Sequence, residues 1–250
     1  MVASLLAVET LWRRELIRFW RQKSRVLGVV ASPLIFWAVI GFGSGASGPK
    51  FFFPGTVVLT VMFSAIFSTM SIIEDRREGF LLSMLVSPAS RTSLVLGKIM
   101  GSATLAWIQG IVILAFAPLA GIGLSLGQVA TLVGVVFLIS FTLTALGFLI
   151  AWKFDSTQGY HAVMNLLLLP MWLLSGAVFS IAGASGPIRA VMLVNPLTYS
   201  TALLRALLTP GVSDGSPGAE TSFAVTAAFG VVLLAASAAL ANRKTSTSAA

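Results

Sequence analysis

The sequence predicts an all-α polytopic membrane protein with six transmembrane helices. Three observations lead there. Of 250 residues, 57% are hydrophobic and 10% charged, against about 25% charged in an ordinary soluble domain. Apolar stretches long enough to cross a hydrocarbon core of ~30 Å recur from end to end. The chain has no cysteine, so disulfides, thiol catalysis and Cys-metal sites are impossible. This composition excludes a soluble enzyme, a nucleic-acid-binding domain and a disordered chain. A transmembrane barrel is excluded too, because barrels read as ~10-residue alternating segments. The net charge of +8 bears on topology and on anionic lipid rather than on nucleic acid.

The chain opens with an amphipathic segment, residues 4–22. Leu5, Val8, Trp12, Leu16 and Phe19 share one helical face, and Thr10, Arg14, Arg18 and Arg21 lie opposite. Glu9 and Arg13 stand at i,i+4, an order that supports an exposed helix. Trp12, Trp20, Arg13, Arg14, Arg18 and Arg21 suit a helix lying in the headgroup layer. The alternative is a basic flank that only sets orientation. No signal peptide is apparent: the first apolar run starts at Val26, so the first span is expected to stay in the mature protein.

The six spans fall at about 26–42, 54–73, 99–121, 129–151, 163–181 and 223–241. None contains Asp, Glu, Lys or Arg. Thirteen Lys and Arg residues flank the spans on one side and three on the other. The positive-inside rule then puts both termini in the cytoplasm. Pro33 and Pro170 are expected to kink the first and fifth spans, since a mid-helix proline frees a carbonyl.

Between the second and third spans, residues 74–90 form the most informative polar segment. Glu74, Asp75, Arg76, Arg77 and Glu78 are five consecutive charges, and Gly79 follows. A short apolar helix through Phe80, Leu81 and Met84 runs on to Ser87 and Pro88. Exposed Phe, Leu and Met are costly unless they meet lipid or a partner. The segment reads either as a docking helix or as juxtamembrane charge with a surface turn. Mixed charge at a span end suits complementary groups on a partner.

The outer segment, 182–222, holds two mostly apolar stretches, Pro187–Val194 and Leu197–Leu208, separated by Asn195 and Pro196. Neither is long enough to span, so two helices dipping back into the outer leaflet are expected.

Several motors are missing. The spans carry no ionisable group for coupling to an ion gradient. There is no G-x-x-x-x-G-K-[ST] phosphate loop and no nucleophile or metal-ligand cluster. The chain is therefore not expected to be an enzyme, and energy for transport would come from another chain.

Three ordered blocks carry a resemblance: Glu74–Gly79 leading to Met84–Pro88, Leu169–Phe179, and Asn195–Tyr199 with Leu204 and Arg205. In them the sequence resembles the type-2 ABC exporter permeases, a family that includes drug-efflux, polysaccharide-export and nodulation-factor-export subunits. The resemblance implies two permease copies, or close paralogues, paired with two ATPase subunits that bind ATP and Mg. It implies no cofactor in this chain and no nucleic-acid partner. Residues Glu74–Pro88 would be the coupling helix, the N-terminal helix would be the connecting helix, and 187–208 would be outer re-entrant helices. The location implied is a prokaryotic cell membrane, and the cargo an amphipathic, lipid-linked or glycan-type molecule. On the residues alone, an uncoupled channel or lipid scramblase, or a membrane anchor for another complex, stays open.

Overall fold

A computed structural model describes residues 2–21, 23–45, 48–86, 89–212 and 214–242. Ser87, Pro88, Arg243 and Lys244 lie outside the described residues, as do the side chains of Lys23 and Arg25. The regular secondary structure of the described residues is all helix, without strands. The elements are α1 (Val2–Trp20), α2 (Lys23–Gly43), α3 (Gly48–Thr69), α4 (Ser71–Arg77), α5 (Phe80–Leu85), α6 (Arg91–Leu114), α7 (Leu126–Ala151), α8 (Thr157–Trp172), α9 (Gly186–Val194), α10 (Pro196–Leu208) and α11 (Ala219–Asn242).

Five helical stretches among the described residues are long and apolar enough to cross a membrane: α3 with α4, then α6, α7, α8 with its extension to Ala177, and α11. The apolar part of α2, Leu27–Gly43, is shorter, and α9 and α10 meet at a bend of 86°. The six stretches expected from sequence are all helical, with shifted ends. The third starts at Arg91 instead of 99, because Ser90 caps it by accepting from the Ser93 amide. It stops at Leu114, before a 3₁₀ turn at Ala117–Ala120 that contains Pro118. Ser125 and Gln128 form a reciprocal capping box that starts α7.

Both prolines expected to kink a span lie inside continuous helices. Helix α2 continues through Pro33, and α8 through Pro170. The fifth span breaks further on, in a π-helical stretch, Leu173–Ala177, where Gly176 has φ 79° and Leu174 is non-helical. There the chain closes on α3. A Cβ on Gly55 would come within 2.5 Å of Ala177 Cβ, and Trp172 Nε1 donates to Gly55 O at 2.8 Å.

Helix α3 is the central element, with 89% of its most apolar window buried, whereas only 22% of the α11 window is. Its neighbours wrap it with Val57, Val61, Ile99, Ile113, Val136 and Ile139 in the shared core. Leu166 of α8 and Val231 and Val232 of α11 face outward, as expected for lipid-facing surface.

Candidate coupling site

Helix α1 lies directly on α6 because α6 is notched there. Gly97 and Gly101, four apart, leave room for Val8, Leu11, Trp12 and Glu15. A Cβ at Gly101 would sit 2.8 Å from Glu15 Cβ, and one at Gly97 would sit 3.1 Å from Val8 Cα. Small residues at this spacing let helix backbones approach closely. Trp12 Nε1 adds a bond to Thr104 Oγ1 at 3.0 Å.

This approach assembles a buried ionic knot. Asp75, on α4, is wholly buried. It accepts two bonds from Arg14, Nη1 at 3.0 Å and Nη2 at 2.7 Å, one from Arg18 Nη1 at 2.9 Å, and one from Lys98 Nζ. Lys98 also donates to Glu15 at 2.5 Å, and Arg18 to Glu74 at 2.6 Å. Three cations thus meet three carboxylates from α1, α4 and α6. A buried charge is tolerable only when paired in this way. Burial disfavours the Arg14 charge, but the hydrogen bond and Coulomb attraction of Asp75 outweigh it and hold the guanidinium above its ordinary value.

The next two residues tie down the other side. Arg76 donates to Trp152 O, to Phe154 O at 3.0 Å and to Asp155 Oδ1 at 2.8 Å, and Arg77 Nε donates to Asp155 O at 2.9 Å. Cations here satisfy carbonyls left open at the end of α7. The charge block is therefore a hub joining α1, α6 and the α7–α8 turn.

Gly79 turns the chain from α4 into α5 with φ 75°, a left-handed conformation suited to glycine. Leu81 and Met84 then pack inward with Leu11 and Leu94, against Phe80 and Trp152. The Arg14 guanidinium lies 3.9 Å from the Phe80 ring centroid. The outward face of α5 presents Leu82, Ser83 and Val86, flanked by Arg77 and the exposed Glu78.

These placements correct three expectations. Arg14 and Arg18 turn into the protein, while Leu5 is exposed, so the packed face of α1 runs through Leu11, Glu15 and Phe19. Trp20, Arg13 and Arg21 are exposed, and Arg13 pairs with Glu9 at 2.7 Å. Asp75 finds its complement inside this chain rather than on a partner, and Leu81 and Met84 are occupied by the chain's own core. Sequence reasoning missed Glu15 altogether and counted Lys98 only among the thirteen basic residues that flank the spans on one side. The available signal was the G-K-I-M-G run at 97–101, a small-residue notch carrying a lysine.

The opposite end holds a second junction. Asn195 caps α10 by accepting from the Leu197 amide at 3.0 Å, and its Nδ2 donates to Met171 O at 2.5 Å. Pro196 takes the first position of α10, where a missing N–H costs nothing. Thr201 donates to Ser175 Oγ at 3.1 Å. Arg205 pairs with Asp214, donates to Gly176 O at 2.7 Å and lies 4.4 Å from the Phe51 ring centroid. The blocks 169–179 and 195–205, separate in sequence, are thus two halves of one contact.

Apolar helices of spanning length around a buried α3 define a multi-pass membrane protein. The chain belongs to the ABC-2 type transporter family, whose profile matches residues 7–209. It is 29% identical over 160 residues to a transport permease, ycf38, of Cyanophora paradoxa, across 63% of this chain and 55% of that one. The chain thus matches little more than half the length of that relative. It is also 27% identical over 209 residues to nodulation protein J of Rhizobium leguminosarum bv. trifolii, across 79% of each chain. The family is the permease component of ABC transporters and not their ATPase.

Proposed function

We propose that this chain is the membrane subunit of an ATP-driven exporter and that α5 is the element through which a separate ATPase pair moves it. The single observation supporting this is the two-sided construction of α5. Its inner face is fused to the hub, whereas Leu82, Ser83, Val86 and Glu78 project outward. A surface helix with an apolar outer face flanked by charge fits a cleft on a partner. Displacement of α5 would pass through Gly79 and Asp75 into α1, α6 and the α7–α8 turn together.

In this reading α1 lies along the inner membrane surface, both termini are cytoplasmic, and α9 with α10 forms a re-entrant pair in the outer leaflet. The permease works as a pair of copies, in a prokaryotic cell membrane. ATP and Mg belong to the ATPase. The apolar spans suit an amphipathic or lipid-linked cargo, including lipid-linked glycans. An uncoupled channel or scramblase would have no use for a welded surface helix.

The test is co-expression with the cognate ATPase in vesicles. Glu78→Arg should abolish transport and ATPase stimulation while leaving permease abundance near the parental level, since Glu78 is exposed and its ion-pair partner, Arg18 at 3.7 Å, keeps Asp75 and Glu74. A reversed charge across a desolvated contact costs about 2–5 kcal/mol. Gly79→Pro should do the same by forbidding φ 75°. Parental transport by both variants would overturn the assignment of α5.

A further inference from the structure

A groove of about 340 Å³ opens on the surface where α1 meets α2 and α6. Its mouth is formed by Trp20 and Leu27, both largely exposed, and its walls by Val30, Leu34, Leu105 and Ile108. Every lining residue is uncharged, and all but one are apolar. The exception is Gln109, which is 3% exposed and has no hydrogen-bond partner for either its amide nitrogen or its oxygen. An orphaned carboxamide is costly in any apolar setting and most of all in a bilayer. Gln109 lies eleven residues past Lys98 on α6, about 16 Å along the helix axis. On α6 the lining runs from Leu105 to Val112, so the groove lies past the ionic knot, beside the end of α1 and around Gln109.

We infer that this groove binds a long-chain amphiphile carrying a neutral hydrogen-bonding group, such as a hydroxyl, within its chain. The occupant enters from the bilayer because the rim is apolar and faces outward. Its chain is apolar because the walls are. The buried group is neutral, because no lining residue offers a counter-charge. It both donates and accepts, because the two ends of the Gln109 amide demand one of each, and a hydroxyl supplies both. The site concerns this chain alone and holds whether or not α5 couples to an ATPase.

The experiment uses the full chain in phosphatidylcholine vesicles without ATPase. The probes are two photoactivatable long-chain fatty acids, identical except for a mid-chain hydroxyl. The hydroxylated probe should label peptides of α2 and α6 about tenfold more than its partner, the effect of one hydrogen bond. Gln109→Leu should erase that preference while leaving the melting temperature equal or higher, since an unpaired amide is removed. Equal labelling by both probes, or a preference that survives Gln109→Leu, would overturn the proposal. So would a lower melting temperature in Gln109→Leu, which would show the amide to be paired within the fold. Oxidative dimerisation of a Leu27→Cys variant would assign the groove to a second copy and overturn it as well.

Discussion

Asp75 is the residue on which one end of the molecule turns. It is fully buried and receives bonds from Arg14, Arg18 and Lys98. Asp75→Asn keeps the shape and removes the charge, leaving three cations facing two carboxylates. Breaking a buried ionic group by removing one partner costs about 3–5 kcal/mol. The expected outcome is a clear fall in melting temperature and membrane abundance, in contrast to Glu78→Arg. Thermal unfolding of the purified variants checks this, and an Asp75→Asn chain as stable as the parent would contradict the knot. The sequence singled out the Glu74–Gly79 block by its charge density, yet it could not say which charges stay at home. Glu15 lies sixty residues away and Lys98 twenty-three. Periodicity reports a helix's own faces, not which remote ion each face will meet.

At the scale of elements, α1 shows where periodicity succeeds and where it stops. The helix was legible from its apolar spacing, but its packed face was not. Arg14 and Arg18 look like solvent-facing residues until α1 seats in the Gly97 and Gly101 notch and Asp75 and Glu74 of α4 meet them. The fifth span carries the same lesson. Pro170 is the conspicuous residue, yet the helix continues through it and breaks at Gly176, where contact with α3 and Arg205 takes over from local preference. A test of the notch follows. Gly101→Leu would place a side chain where Glu15 Cβ stands 2.8 Å from an added Cβ. Overpacking of this kind costs about 1–3 kcal/mol and forces the helices apart. Since the chain has no cysteine, a lone Leu11→Cys reports the outcome. Its buried thiol should be slow to modify in the parent and fast beside Gly101→Leu. Unchanged labelling would show that α1 is held by something other than the notch.

For the whole molecule, two polar junctions define two ends. Contacts gather α1, Asp75, Lys98, the 152–155 turn and, through Arg91, Ala241 at one end. They gather Phe51, Gly176, Arg205 and Asp214 at the other, and there Lys50 also lies beside the Gly121 turn. This grouping rests on side-chain contacts and uses no charge counting. It nevertheless sorts the connecting segments into the same two sets as the thirteen-to-three distribution of basic residues. The proposed orientation, with the Asp75 end cytoplasmic, is the one the positive-inside rule favours. Gly123 and Ser83 are suited to testing this: a Cβ at Gly123 meets nothing within 4 Å, and Ser83 is exposed on α5. In sealed right-side-out vesicles, an impermeant thiol reagent should modify Gly123→Cys at once and Ser83→Cys only after the membrane is opened. The reverse pattern would invert the whole molecule, placing α5 outside and beyond reach of any cytoplasmic ATPase. Labelling of both from outside would break the two-ended arrangement itself. The one labelling pair therefore tests the orientation and, with it, whether α5 can do what is proposed for it.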